Sequence, residues 1–294
     1  MPMHEGSTRR TVVARLAVGA ALTLLLPIGV SRAQIAAPNV AGVSMGHLHY
    51  YVKDVAANRR FWMSLGAQPV RVGPFEGLKF RDVMVFLTEG PASGGSNGAV
   101  VNHVAFRVQT FAQVEKVGLK VERTAEYPGV GGTMTPEGER IELFENSATN
   151  LTFTPAPGAP TSSLWERHNR PLPIPIAFHH VHLYVPEGAA TEAQAWYTKV
   201  FGAIPGKRWR YDAVDLPGVN LNFSGNAQTM APTKGRMLDH IGFEVKHLEA
   251  FCKDLARRGI KFDRPYTKGT TLSSAVIVDP WGTSIELTEG LGAL

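Results

Sequence analysis

Six residues of this chain have the types and the spacing to hold metal ions: His47, His103 and Glu142 in its first half, His180, His240 and Glu286 in its second. Two imidazoles and a carboxylate make a three-donor set that leaves coordination positions open for substrate and water. Such a set suits iron(II) first, with zinc or manganese as alternatives. The intervals within the first three residues nearly recur within the last three, so the six read as two equivalent triads. Two further histidines accompany them. His49 stands two residues beyond His47, and His182 two beyond His180. Side chains alternate along a strand, so each pair faces one way, and the second histidine could orient a substrate or act as a base.

Positioning these residues is a task for strands. GHLHYYVKD at Gly46, NHVAFRVQ at Asn102, HHVHLYVPE at His179 and DHIGFEVKH at Asp239 are short runs rich in β-branched and aromatic residues, and each reads as a strand. A helical face follows each: Phe61, Trp62 and Leu65; Phe111, Val114 and Val117; Ala193, Trp196, Tyr197 and Val200; Leu248, Phe251, Cys252 and Leu255. Beyond the helices come LKFRDVMVFLT, GERIELFE, VDLPGVNLNFS and SSAVIVDPWGTSIELTE, strand-like runs broken by glycine and proline turns. TPEGERIELFE at Thr135 and DPWGTSIELTE at Asp279 repeat a Pro-x-Gly turn and an Ile-Glu-Leu strand, which deliver Glu142 and Glu286. The unit is a strand, a helix and about three strands, repeated four times. This pattern predicts an α+β protein of four βαβββ modules.

With these motifs in place, the sequence resembles the vicinal oxygen chelate (VOC) superfamily of glyoxalase, bleomycin resistance protein and extradiol dioxygenase type, over almost all of residues 44–291. The resemblance implies two VOC, glyoxalase-like domains with cup-shaped mixed β-sheets. Their bounds are 44–154 and 176–291, with a Pro-rich linker at 155–175. It also implies metal ligands at the six positions above, grouped in chain order as His47, His103 and Glu142, and as His180, His240 and Glu286. Glyoxalase I adds a glutamate ligand where this chain has Phe86 and Asn222, which disfavours that activity. Extradiol dioxygenases share the two-histidine, one-glutamate set and the shape of DPWGTSIE, but Val276 stands where they carry a tyrosine. The shared chemistry is Lewis-acid activation of a small substrate that chelates through two neighbouring oxygens, of lyase/isomerase or dioxygenase type. His49, His182 and Asn222 are its candidate catalytic groups. A non-catalytic small-molecule binding protein of the bleomycin-resistance type is the alternative.

The chain has 294 residues, of which 44% are hydrophobic and 19% charged, an ordinary globular composition. Its N-terminus differs: Arg9, Arg10 and Arg15 precede an apolar run from Leu16 to Val30, and small residues Ser31 and Ala33 follow. Residues 1–33 are expected to be a signal peptide, possible twin-arginine in type, giving a periplasmic or extracellular protein. The run is short for a membrane span and contains Pro27, so no stable membrane anchor is expected. Removing the segment takes away four arginines and one glutamate, so the formal net charge of +5 overstates how basic the mature chain is. The densest remaining basic cluster, GKRWRYD at Gly206, reads as a solvated strand edge, and nucleic acid is not an expected partner. The single cysteine, Cys252, reads as a buried structural thiol. A small-molecule substrate is the expected partner, and four modules can complete two cups in a monomer or a homodimer.

Overall fold

The computed structural model describes Met1 and residues 35–149, 152–160 and 170–293. The chain divides into two compact units, Met1–Arg32 and Ala33–Leu294, and the second holds every element below. The expected signal peptide and the middle of the expected linker lie outside the described residues.

Four βαβββ modules follow one another. The first comprises β1 (Val43–Val52), α1 (Val55–Ser64), β2 (Gln68–Val72), β3 (Phe75–Phe80) and β4 (Val83–Glu89). In the second are β5 (Val101–Val108), α2 (Phe111–Lys116), β6 (Glu122–Arg123), β7 (Val130–Met134) and β8 (Arg140–Phe144). A short strand, β9 (Phe153–Pro155), precedes the third module of β10 (Ile176–Pro186), α3 (Ala190–Phe201), β11 (Ile204–Arg208), β12 (Tyr211–Leu216) and β13 (Val219–Asn226). The fourth is β14 (Leu238–Val245), α4 (Leu248–Arg257), β15 (Phe262–Thr267), β16 (Ser273–Val278) and β17 (Ser284–Glu289). Local chemistry sets the helix ends. The Asp54 side chain accepts a hydrogen bond from the Ala57 amide at the start of α1, and Gly202 ends α3 at a φ of 63°, where a side chain would be strained.

The modules do not pair in chain order. One sheet runs β15-β16-β17-β14-β1-β4-β3-β2, joining the fourth module to the first, and the other runs β6-β7-β8-β5-β10-β13-β12-β11-β9, joining the second to the third. Each sheet therefore draws one module from each half of the chain, and the sequence ranges 44–154 and 176–291 each contribute to both sheets. The joins are antiparallel: β1 with β14 in the first sheet, β10 with β5 in the second.

The apolar core lies between the two sheets. Trp62 on α1 and Phe80 on β3 meet Phe106 on β5, at ring separations of 5.9 and 4.8 Å, while Phe201 on α3 meets Phe243 on β14 at 4.9 Å. Leu48, Val104, Val181 and Ile241, the residues next to the site histidines, are fully buried in this core. Alternation then turns His47 and His49, or His180 and His182, to the opposite, cupped face. That burial, at about 25 cal/mol per Å² of apolar surface, fixes which way the histidines point.

Candidate metal centre

In the first sheet, the β1–β14 register sets His47 against Gly242 and His49 against His240, and β17 places Glu286 beside Gly242. His47 Nε2 lies 3.1 Å from Glu286 Oε2 and 3.3 Å from His240 Nε2, and His240 Nε2 lies 3.4 Å from the same carboxylate oxygen. Donor atoms about 2.1 Å from a first-row ion stand roughly 3.0–3.4 Å apart in octahedral to tetrahedral geometry, so this triangle has the size such an ion requires. Its residues fit a metal.

The surroundings favour a cation. Asp239 Oδ2 is 2.6 Å from His240 Nδ1, an arrangement that orients the ring and raises its basicity toward a metal on Nε2. Burial alone would depress His240, but hydrogen bonds to Asp239 and Glu286 outweigh it and raise the ring's pKa above the usual 6.5. Burial likewise works to raise Glu286, and the bonds to His240 and His47 overcome it and hold the carboxyl far below its usual range. Arg264 on β15 binds the other oxygen, Glu286 Oε1. His49 Nε2 lies 2.7 Å from Thr88 Oγ1. Burial first, then the neighbouring His240 and His47 rings, push its pKa down to about 3, so it is neutral at neutral pH. His49, His240 and Glu286 line a cavity of about 1140 Å³, with Phe86 and Tyr51 among its apolar walls. His47 lies 1% exposed at the ligand triangle beneath.

The second sheet assembles the same residue types differently. His103 Nε2 and His180 Nε2 lie 3.2 and 3.3 Å from Glu142 Oε2, and Arg140 binds Glu142 Oε1 at 3.1 Å, as Arg264 binds Glu286. His182 Nε2 lies 2.7 Å from Ser224 Oγ, repeating the His49–Thr88 pair. His103, His180 and His182 could bring ligand atoms within 4.8 Å of one another. Here, however, a guanidinium enters. Arg208, 2% exposed, donates from Nε to Asn222 Oδ1 at 2.9 Å and places a terminal nitrogen 3.5 Å from His180 Nε2. Burial lowers its pKa to about 10, so it remains charged at neutral pH. Burial also depresses His180 and His182, and Arg208 adds to the effect on both.

Three expectations change. The triads exchange partners: His47 joins His240 and Glu286, and His180 joins His103 and Glu142, because β1 pairs with β14 and β10 with β5. GKRWRYD is not wholly a solvated edge, since Lys207 and Arg210 are exposed but Arg208 is buried. The strand beside this second site is itself irregular. A register shift in β10 between Phe178 and His180 breaks the alternation, and His179 Nδ1 lies 2.8 Å from His180 Nδ1. Asn222 is fully buried against Arg208 rather than facing an open cup, while its counterpart Phe86 lines the first cavity. Sequence reasoning missed Asp239, Arg264 and Arg208. The first stands directly before a ligand histidine, a signal that was available; the other two reach in from β15 and β11, two or more strands away in the sheet.

Comparison with known proteins agrees with this architecture. Residues 177–287 match the family model of the Glyoxalase/Bleomycin resistance protein/Dioxygenase superfamily. No curated protein matches the chain by sequence. Glyoxalase I from Zea mays is a structural neighbour with a TM-score of 0.57 at 15% identity, covering 85% of this chain and 94% of that one. A candidate dioxygenase from Bacillus subtilis subsp. subtilis str. 168 gives a TM-score of 0.57 at 14% identity, covering 88% of this chain and 86% of that one. At these identities the likeness shows the fold: a glyoxalase-like α+β arrangement over most of the chain.

Proposed function

We propose that this chain is an exported metal-dependent enzyme of the VOC type, acting on a small substrate that presents two neighbouring oxygens to the centre formed by His47, His240 and Glu286. The observation that carries the reading is the 3.1–3.4 Å triangle of two imidazole nitrogens and one carboxylate oxygen at the base of an open cavity. A bound divalent ion, iron(II) or else zinc or manganese, would supply Lewis acidity toward the substrate oxygens. The chain's own residues do the rest. Asp239 holds the His240 ring in its ligating orientation. His49, neutral and braced by Thr88, faces the same cavity with an imidazole placed to orient a bound substrate. Phe86, Leu78 and Tyr51 supply apolar walls that exclude water from a bound ligand. The reaction is of lyase/isomerase or dioxygenase type.

Export rests on Arg9, Arg10 and Arg15 ahead of the apolar run, and mass spectrometry of the mature protein would find cleavage after Ala33. Among the described residues no helix is long and apolar enough to cross a membrane.

Metal analysis of purified protein, as isolated and after incubation with iron(II), zinc or manganese, tests the central claim. Tight binding that His240→Ala abolishes is expected. A folded protein with less than about a tenth of an equivalent under every condition would end the enzyme reading.

A further inference from the structure

The two cups are built by the same module pairing, so each position in one has a counterpart in the other. His49 pairs with Phe86 across β1 and β4, where His182 pairs with Asn222 across β10 and β13. Val72 ends β2 opposite Phe75, where Arg208 ends β11 opposite Tyr211. Val72 and Phe86 belong to one apolar cluster in the first cup. Their counterparts Arg208 and Asn222 are hydrogen-bonded to each other in the second. The two replacements are matched, since Asn222 Oδ1 accepts from the Arg208 Nε–H. The third difference is independent of these. The residue that holds the ligand histidine by Nδ1 is the carboxylate Asp239 for His240, but the neutral amide Asn102 for His103, at 2.7 Å.

Charge follows from these substitutions. Around the first triad stand Asp239, Glu286 and Arg264, which leave an excess negative charge for a cation to neutralise. Around the second, among the described residues, stand Glu142, Arg140 and Arg208, which put a buried guanidinium beside a ligand imidazole before any ion arrives. Arg208 also packs over the Phe144 and Tyr211 rings, 5.5 and 5.9 Å from their centroids, which holds the guanidinium in place. A divalent ion on His180 Nε2 would be forced against a buried guanidinium 3.5 Å from that nitrogen.

We infer that only the first cup is a metal centre and that in the second the Arg208 guanidinium is the resident cation, standing where a metal would otherwise balance Glu142. This rests on the proposed reading of the first cup. The second cup keeps three ligand-type residues but not the electrostatics that would fill it.

The test is metal stoichiometry on the full chain, with cobalt(II) absorption as a second readout of the number and kind of sites. One equivalent per chain is expected, lost in His240→Gln and kept in His103→Gln, with thermal melts confirming that each variant is folded. Two equivalents, or loss of the metal in folded His103→Gln, would overturn the inference and leave the first-cup reading standing only if His240→Gln still removes an equivalent. No metal in folded wild-type protein would overturn both. A triple variant, Arg208→Val, Asn222→Phe and Asn102→Asp, gives the second cup the first cup's residues and is expected to raise the stoichiometry toward two. If the folded triple variant still binds one equivalent, Arg208 is not what excludes the ion and the assignment fails.

Discussion

Asp239 is a single carboxylate with two effects on the first cup. Its hydrogen bond fixes the His240 ring, and it helps to raise the pKa of that ring in the metal-free protein. Replacing it by asparagine, which the second cup already has at Asn102, should weaken metal affinity by about 10–100-fold while leaving the fold intact. Competition with a chromophoric chelator would measure the change. The sign of the pH dependence follows from the same residue. A raised folded-state pKa contributes stability below the unfolded value of 6.5 and loses it as pH rises through the folded value. Metal needs the neutral ring, so affinity should climb with pH across a window starting above 6.5, and Asp239→Asn should move that window down. Isothermal titrations over a pH series would reveal an unmoved window if Asp239 plays no part. Cys252 offers a plainer check. Burial raises its thiol to about 11, so a thiol reagent near neutral pH should label it in denaturant and scarcely at all in native protein.

Strands explain why some of this was legible and some was not. Alternation and turn residues in GHLHYYVKD, HHVHLYVPE and their relatives identify the strands, and the helix after each has a clear apolar face, so the four modules could be read directly. The pairing could not. The opening strands of all four modules carry nearly the same pattern, and nothing local tells β1 to join β14 rather than β5. Tertiary packing decides it, and with it the membership of each triad. Arg208 was hidden for a related reason: a basic residue in a Lys-Arg-Trp-Arg run resembles surface, and only the folded second cup supplies Asn222 and the aromatic rings that bury it. The β1–β14 join also makes its own prediction. Gly242 faces His47, and a methyl group there would overlap the imidazole, whereas the matching residue in the second cup is Ala105, opposite His180. Gly242→Ala should displace the His47 ring, cost about 1–3 kcal/mol and abolish metal loading. Denaturant melts beside metal analysis would separate these effects, and normal loading would show that His47 is not a ligand.

Across the whole molecule, the two joins are nested: the second module binds the third, and the first binds the fourth around them. Nested joins have a consequence in time. As a ribosome releases the chain from its N-terminus, the inner pair can close once β13 has emerged, with β10 finding a β5 made shortly before. The outer pair must wait, because β1 stays unpaired on this edge until β14 appears, and Glu286 arrives only with β17. Closing that long loop costs little more free energy than closing the short one, but it makes the outer cup the late-forming part of the molecule. Chains arrested before β16 should therefore show a protease-resistant inner sheet and bind no metal, as pulse proteolysis of stalled ribosomes would reveal. The residues inferred to hold an ion belong to the cup that forms last. A truncated product would carry His47 and the guanidinium-filled inner cup, yet could not hold an ion, so the nesting makes metal uptake a report on near-complete synthesis.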